Sequence, residues 1–241
     1  MCLQCARMER RNFLSLAGTA AAAAGLWTAG LSAGLAPRPA LARTTLAADA
    51  ALAQLKAGNE KFVAAPQLCA ASLANNRAAV ASGQSPWATV LTCSDSRVPP
   101  ELIFGGLGLG QLFVARTAGN VADPAVVGTI EYGAEHLGSP LIVVMGHNRC
   151  GAVQAACAEV DKPEKLPGSI GSVVQAIVPA ARAEKGKPGD FVDNVVRENA
   201  RRTAEHIARD SPVVHELVHE GKVKVVYARY DLDSGRVAFL G

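Results

Sequence analysis

The sequence predicts an α/β fold, with a mostly parallel central β-sheet flanked by helices. Three short apolar runs, at 87–91, 112–115 and 141–145, are each bounded by Gly or Pro, and apolar stretches without alternation mark strands covered on both faces. Segments of helical period lie between and after these runs, as the crossovers of parallel strands require. At 241 residues and 49% hydrophobic composition the chain can bury one good core, so intrinsic disorder and a small disulfide scaffold are excluded. No internal repeat and no long linker divides it. Residues 43–241 are therefore expected to form a single domain.

Residues 1–42 read as a targeting segment. Arg10 and Arg11 precede an uncharged run at 13–36, and Pro39-Ala40-Leu41-Ala42 ends in an A-x-A pattern that places cleavage before Arg43. A run of 24 uncharged residues is also long enough to be a retained membrane helix. Nine of them are Ala, four Gly and four Ser or Thr, however, and so weakly apolar a stretch behind paired arginines resembles a twin-arginine export signal. That resemblance implies export to the periplasm or an equivalent oxidising compartment, with membrane contact only during transit. Met1 and Met8 both stay open as starts. Of the 24 basic and 21 acidic residues, Arg7, Arg10, Arg11, Arg38 and Glu9 lie in this segment and account for the whole net charge of +3. The rest is balanced, and no stretch interleaves basic with aromatic residues, so charge gives no support for a nucleic-acid partner.

Beyond the leader, residues 49–65 place Leu52, Leu55, Asn59, Phe62 and Val63 near helical spacing, an amphipathic helix ahead of the sheet. Pro86 opens the first strand. Gly106-Leu107-Gly108-Leu109-Gly110 precedes a strand instead of following one, so it reads as a tight connection and not as a phosphate loop. Asp123 is a good N-cap and Pro124 suits a first helical turn, starting a helix expected to reach His136 and stop at Gly138. Further helices are expected at 151–160, 169–184 and 190–209. The last strands are expected at 223–230 and 236–239, joined by a turn at 231–235.

The chemistry gathers at two strand ends. Cys93 closes the first strand and begins Cys93-Ser94-Asp95-Ser96-Arg97, while His147 and Cys150 follow the third strand in Gly146-His147-Asn148-Arg149-Cys150-Gly151. Both clusters lie at the carboxyl edge of the sheet, where open α/β folds bind ligands if the strand order switches there. Two thiolates and one imidazole suit Zn²⁺, and three protein ligands leave a fourth position for water or substrate. A lone cysteine would be a small buried hydrophobe, but His-x-x-Cys and Cys-x-Asp-x-Arg at two strand ends read as ligands. Two thiolates neutralise the metal's charge, so acidification of water is weaker than in a three-histidine site and hydrogen bonding must help. Asp95, held by Arg97, is placed to accept a hydrogen bond from the attacking hydroxide. If that pairing failed, Asp95 could swing onto the metal as a fourth ligand.

These paired motifs resemble the β-class carbonic anhydrases over roughly residues 50–241. Gly83-Gln84-Ser85-Pro86, Phe113-Val114-Ala115-Arg116, Gly119-Asn120, Ile130-Glu131-Tyr132 and Tyr230-Asp231-Leu232 are similar to the family as well. The resemblance implies that fold, with strand order 2-1-3-4 plus an edge strand. It also implies one Zn²⁺ on Cys93, His147 and Cys150, and interconversion of CO₂ and bicarbonate. Gln84 is then an amide donor to a substrate oxygen, and Phe113, Ala118 and Tyr132 line an apolar pocket. A homodimer or dimer of dimers is implied, with helix 49–65 as an arm whose apolar stripe needs a partner surface. Members with a closing Asp and an accessory bicarbonate site carry Trp and Gly where this chain has Val90 and Thr92. An open form without bicarbonate-controlled closure is therefore expected.

Rival readings are weaker. His215-Glu216-Leu217-Val218-His219 matches the H-E-x-x-H pattern of zinc proteases, yet no downstream His offers a third ligand. Val214, Leu217 and Val218 are expected on the buried side of that short helix, leaving His215 and His219 on a solvated face. A non-catalytic zinc protein gives no reason for Asp95 and Arg97. Hydrolysis of carbonyl sulfide or carbon disulfide on the same metal ligands is the nearest alternative. His136 and His206 read as packing or surface residues. Export would permit a disulfide between Cys69 and Cys157, and two inert thiols fit equally.

Overall fold

A computed structural model describes residues 43–71, 77–164 and 166–241. The leader reading therefore lies outside the described residues. The sheet holds five strands: β1 (Ala88–Cys93), β2 (Leu112–Thr117), β3 (Leu141–His147), β4 (Lys224–Tyr230) and β5 (Val237–Phe239). Their order is β2-β1-β3-β4-β5, with all neighbours parallel except the antiparallel pair β4 and β5. The chain thus reverses its direction of build at β1, between β2 and β3, and opens the expected crevice at the carboxyl ends of β1 and β3. The predicted order of four strands plus an edge strand is the observed one.

Every residue of β1 and β3 is buried, because helices cover both faces. Alternate side chains go opposite ways, as the two-residue period of a strand dictates. Ala88, Val90, Leu141, Val143 and Met145 pack with Ala51 and Leu55 of α1 (Ala48–Ala64) and Ile103 of α4 (Pro100–Ile103). Leu91, Ile142 and Val144 pack with Ala200, Ala204 and Ile207 of α8 (Phe191–Asp210) and Val214 and Leu217 of α9 (Pro212–His219). Each fully buried Val, Leu, Ile or Met side chain here contributes about 1.5–3 kcal/mol from leaving water. A third cluster, of α6 (Gly151–Asp161), α7 (Ile170–Glu184) and α8, surrounds Cys93 and Cys150. The described residues fall in one compact unit, and no helix among them is long and apolar enough to cross a membrane.

Helix starts follow local hydrogen-bond chemistry. Asp123 caps α5 (Pro124–Glu131) by accepting from the Val126 amide, Asp190 caps α8 through Asp193, and Ser211 caps α9 through Val214. Three short helices carry too little periodicity to be read in advance: α2 (Pro66–Ala71), α3 (Arg77–Val80) and α4. The helix expected to reach His136 changes character after Glu131, where Tyr132–His136 forms a wider π-type turn. That turn lays Gly133 against Thr89 and Phe113, so closely that a Cβ would come within 2.8 Å of both. On α9, Leu217 and Val214 are buried but Val218 is 37% exposed, a correction to the expected apolar side. Two positions three residues apart reach the core from so short a helix, and the next one turns out to solvent. The apolar stripe of α1 is covered in part within the chain: Leu55 is fully buried and Gly58 lies against the Phe104 carbonyl, while Leu52, Phe62 and Val63 are half-buried.

Candidate metal centre

Strand ends and one tight turn build the site. Cys93 ends β1 and His147 ends β3, the strand beside it. Arg149, with a left-handed φ of 54°, bends the chain back so that Cys150 becomes the N-cap residue of α6. One donor atom each from Cys93, His147 and Cys150 lies within 4.8 Å of the others, and all three side chains are buried. The two sulfurs are 3.9 Å apart.

The histidine is oriented for a ligand. Its Nδ1 donates to the Asn148 carbonyl at 2.9 Å, which puts the ring proton there and leaves the lone pair of Nε2 facing inward. Nε2 is buried with no hydrogen-bond partner. Buried polar atoms in native proteins are almost always satisfied, so an orphaned nitrogen beside two thiols is what a metal cradle looks like. The sulfurs agree. A hydrogen bond from the Cys150 thiol, with help from the Gly119 amide and against the cost of burial, holds the Cys93 thiol well below the usual thiol range. Cys150, which carries the shared proton and is buried, is pushed up, against the pull of the Ala152 and Val153 amides at the start of α6. A cation bound here would displace the thiol protons, since the ligating form of cysteine is the thiolate. Borderline-soft donors of this kind, S₂N in a buried trio, suit Zn²⁺.

Asp95 stands at the mouth. Arg97 donates from Nε to Oδ1 at 2.9 Å and from Nη2 to Oδ2 at 2.7 Å, and its backbone amide adds a third bond to Oδ1 at 2.9 Å. This fork holds the carboxyl well below the usual carboxylate range, chiefly through the guanidinium. The Asp95 Oδ2 lies 3.8 Å from the partnerless Nε2 of His147.

Residues 88–237 match the carbonic anhydrase family, a span that holds all three converging ligands. The chain belongs to this family. Carbonic anhydrase 2 of Mycobacterium tuberculosis (strain CDC 1551 / Oshkosh) is 39% identical over 187 residues, covering 78% of this chain and 90% of that protein. The β-carbonic anhydrase CafA of Aspergillus fumigatus is 27% identical with a TM-score of 0.62, over 80% of this chain and 89% of that one. A structure from the study of two tetrameric β-carbonic anhydrases of Sordaria macrospora shares the fold, at TM-score 0.61 and 24% identity, over 69% and 87% of the two chains.

Within this carbonic anhydrase, the residues expected to line the substrate pocket do not all meet at the metal trio. Ala118 is exposed and lies next in the chain to Gly119, whose amide donates to Cys93 Sγ at 3.3 Å. Phe113 pairs with Thr89, four residues before Thr117 pairs with Cys93, which is roughly 13 Å away along the strand. Tyr132 stacks on Phe113 at 5.9 Å and on His136 at 4.9 Å, and Gln84 is exposed ahead of the opposite end of β1. His215 and His219 are both exposed, far from forming a buried ligand set. No disulfide joins Cys69 to Cys157, and both are buried.

Four residues around the centre carry roles that motif reading did not assign. Arg116 clamps the turn after β1, donating to the carbonyls of Cys93 at 3.0 Å and Asp95 at 2.6 Å. Asn148 ties the His147 turn to the β4–β5 turn, donating to Asp231 and Asp233 and accepting from the Leu232 amide. Gly119 bonds Cys93, and Asn199 of α8 donates to the Gly119 carbonyl at 2.8 Å. Three of these positions sit in or beside motifs already noted. Asn199 had one signal, a polar residue on the apolar face of its helix.

Proposed function

We propose that this protein catalyses the reversible hydration of CO₂ to bicarbonate and a proton, on one Zn²⁺ held by Cys93, His147 and Cys150. The convergence of those three donors, with His147 Nε2 buried and partnerless, carries the reading. Zinc, when bound, supplies Lewis acidity that makes water a competent nucleophile near neutral pH. The protein's own groups do the rest. Asp95, ionised and fixed by Arg97, accepts the hydrogen bond of the attacking hydroxyl, which directs the free lone pair toward the carbon of CO₂. It also rejects a ligand that has no proton to donate. Its pairing with Arg97 would keep Asp95 off a bound metal, and that pairing supports an open form, as do Val90 and Thr92, both fully buried, at the positions where closing members carry Trp and Gly.

Gln84, Phe113 and Tyr132 reach a metal centre from another copy of the chain, so the complete pocket belongs to a homodimer or dimer of dimers. Tyr132 supports this, being 45% exposed although it is large and aromatic. The leader at 1–42 directs export by a twin-arginine-type route to the periplasm or its equivalent, and residues 43–241 are the catalytic domain. Stopped-flow CO₂ hydration tests the reading. Wild-type protein with zinc quantified should be active, and Asp95→Asn should retain zinc while losing about 10²–10³-fold in kcat, the usual cost of one preorganised group. Equal activity in both would overturn the assigned role of Asp95, and turnover of carbonyl sulfide or carbon disulfide with none of CO₂ would redirect the substrate.

A further inference from the structure

We infer that Asn199 is a positioning residue for the metal centre, acting through Gly119 on the sulfur of Cys93. Asn199 lies on α8 and is 3% exposed, 80 residues away in sequence from the peptide it holds. Its Nδ2 donates to the Gly119 carbonyl at 2.8 Å, while the Gly119 amide on the other side of the same residue donates to Cys93 Sγ at 3.3 Å. Gly119 is therefore gripped from both ends, and its orientation fixes where the N–H points.

The conformation of Gly119 needs that grip. Its φ of 68° is left-handed, the region open to glycine at little cost, and a Cβ there would come to 2.5 Å from Ile177 Cδ1 and 3.1 Å from Ala152 Cβ. A residue so free of side-chain constraint holds one peptide orientation only if hydrogen bonds hold it. The neighbouring turn helps, through Thr117 Oγ1 on the Val121 carbonyl and the Ser94 amide on the Thr117 carbonyl. Neither contact touches Gly119 itself. Asn199 does, from the helix whose Val196 packs against Gly146, the residue before the ligand His147.

The chemical consequence is at the sulfur. An N–H···S bond withdraws electron density from a thiolate, so a fixed Gly119 amide lowers the charge that Cys93 gives the metal and leaves the metal the stronger Lewis acid. In a centre with two thiolates this offsets part of their neutralising effect. The inference rests on the zinc reading above, and its test separates the two.

The test uses the full chain loaded with cobalt or with ¹¹³Cd. In wild type, the Gly119 amide proton should show scalar coupling to ¹¹³Cd through the Cys93 sulfur. In Asn199→Asp, which keeps the volume but turns an acceptor toward the Gly119 carbonyl, that coupling should vanish. The thiolate-to-cobalt charge-transfer band should move to lower energy as the Cys93 sulfur regains density, and zinc retention against a chelator should fall about 10–100-fold because Gly119, no longer held, fixes the Cys93 turn less firmly. Asn199→Ala should move the same readouts in the same direction. Thr203→Val, further along α8, should change thermal stability without moving the cobalt band. If wild type binds metal but Gly119 shows no coupling, or if a folded Asn199 variant keeps the wild-type band and chelator resistance, the role of Asn199 is refuted. If wild type takes up neither metal, the metal reading itself fails.

Discussion

At the scale of residues, geometry decides chemistry. Cys93, His147 and Cys150 were legible in the sequence because strand ends of a parallel sheet share one edge, so two short motifs separated by a crossover must meet there. The Asp95–Arg97 fork was legible for a local reason: two residues apart in a tight turn, they have little choice but to pair. Asn199 was not legible, because its partner is distant in sequence and an asparagine on an apolar helix face has many possible satisfiers. His147→Ala should abolish zinc binding and CO₂ hydration together, measured by metal analysis and stopped flow. His219→Ala should leave both within about twofold of wild type, since an exposed surface substitution typically shifts energies by less than 0.5 kcal/mol.

At the scale of elements, close approach overrides propensity. Gly58 lies inside α1, where Ala would ordinarily stabilise a helix by about 0.5–1 kcal/mol. Here a Cβ would fall 2.0 Å from the backbone oxygen of Phe104, on the segment that follows α4. Overpacking against backbone costs about 1–3 kcal/mol or more, so Gly58→Ala should destabilise the protein in urea unfolding, reversing the sign that helix propensity gives. The same contest explains the π-type turn after α5. Apolar period and the Asp123 cap predicted a helix there, but the pressure of Gly133 on β1 and β2 is a tertiary fact that no local pattern carries. Strands were read well because total burial leaves an unbroken apolar signature, whereas α2, α3 and α4 are too short to show a period.

At the scale of the whole molecule, the sheet must be tied at its functional edge. Asp231, between β4 and β5, is lowered from an ordinary 3.8 to about 2, first by the Ser234 amide, with the Ser234 hydroxyl and Arg229 adding to it against the cost of burial. A depressed carboxyl contributes stability that is fully present above pH 4 and is lost as pH falls through about 2. Asp231→Asn should therefore be less stable than wild type at neutral pH, with a shallower loss between pH 4 and 2 in thermal unfolding. Because Asp231 also accepts from Asn148, that loss reaches the His147 turn. Association is the other property at this scale. The sequence reading expected Gln84, Phe113 and Tyr132 at the substrate pocket, and the proposed assembly would bring them to it from another copy. Sedimentation should find dimers or larger assemblies, and activity per chain should fall on dilution along with mass. A fully active monomer would contradict the shared pocket.

The most direct measurement is zinc K-edge absorption fine structure on the purified protein. The expected first shell has two sulfurs at about 2.3 Å and two lighter atoms at about 2.0 Å, and Cys150→Ala should lose one sulfur or the metal altogether. A shell of nitrogen and oxygen alone, or no zinc in the purified wild type, would contradict the assignment of Cys93, His147 and Cys150.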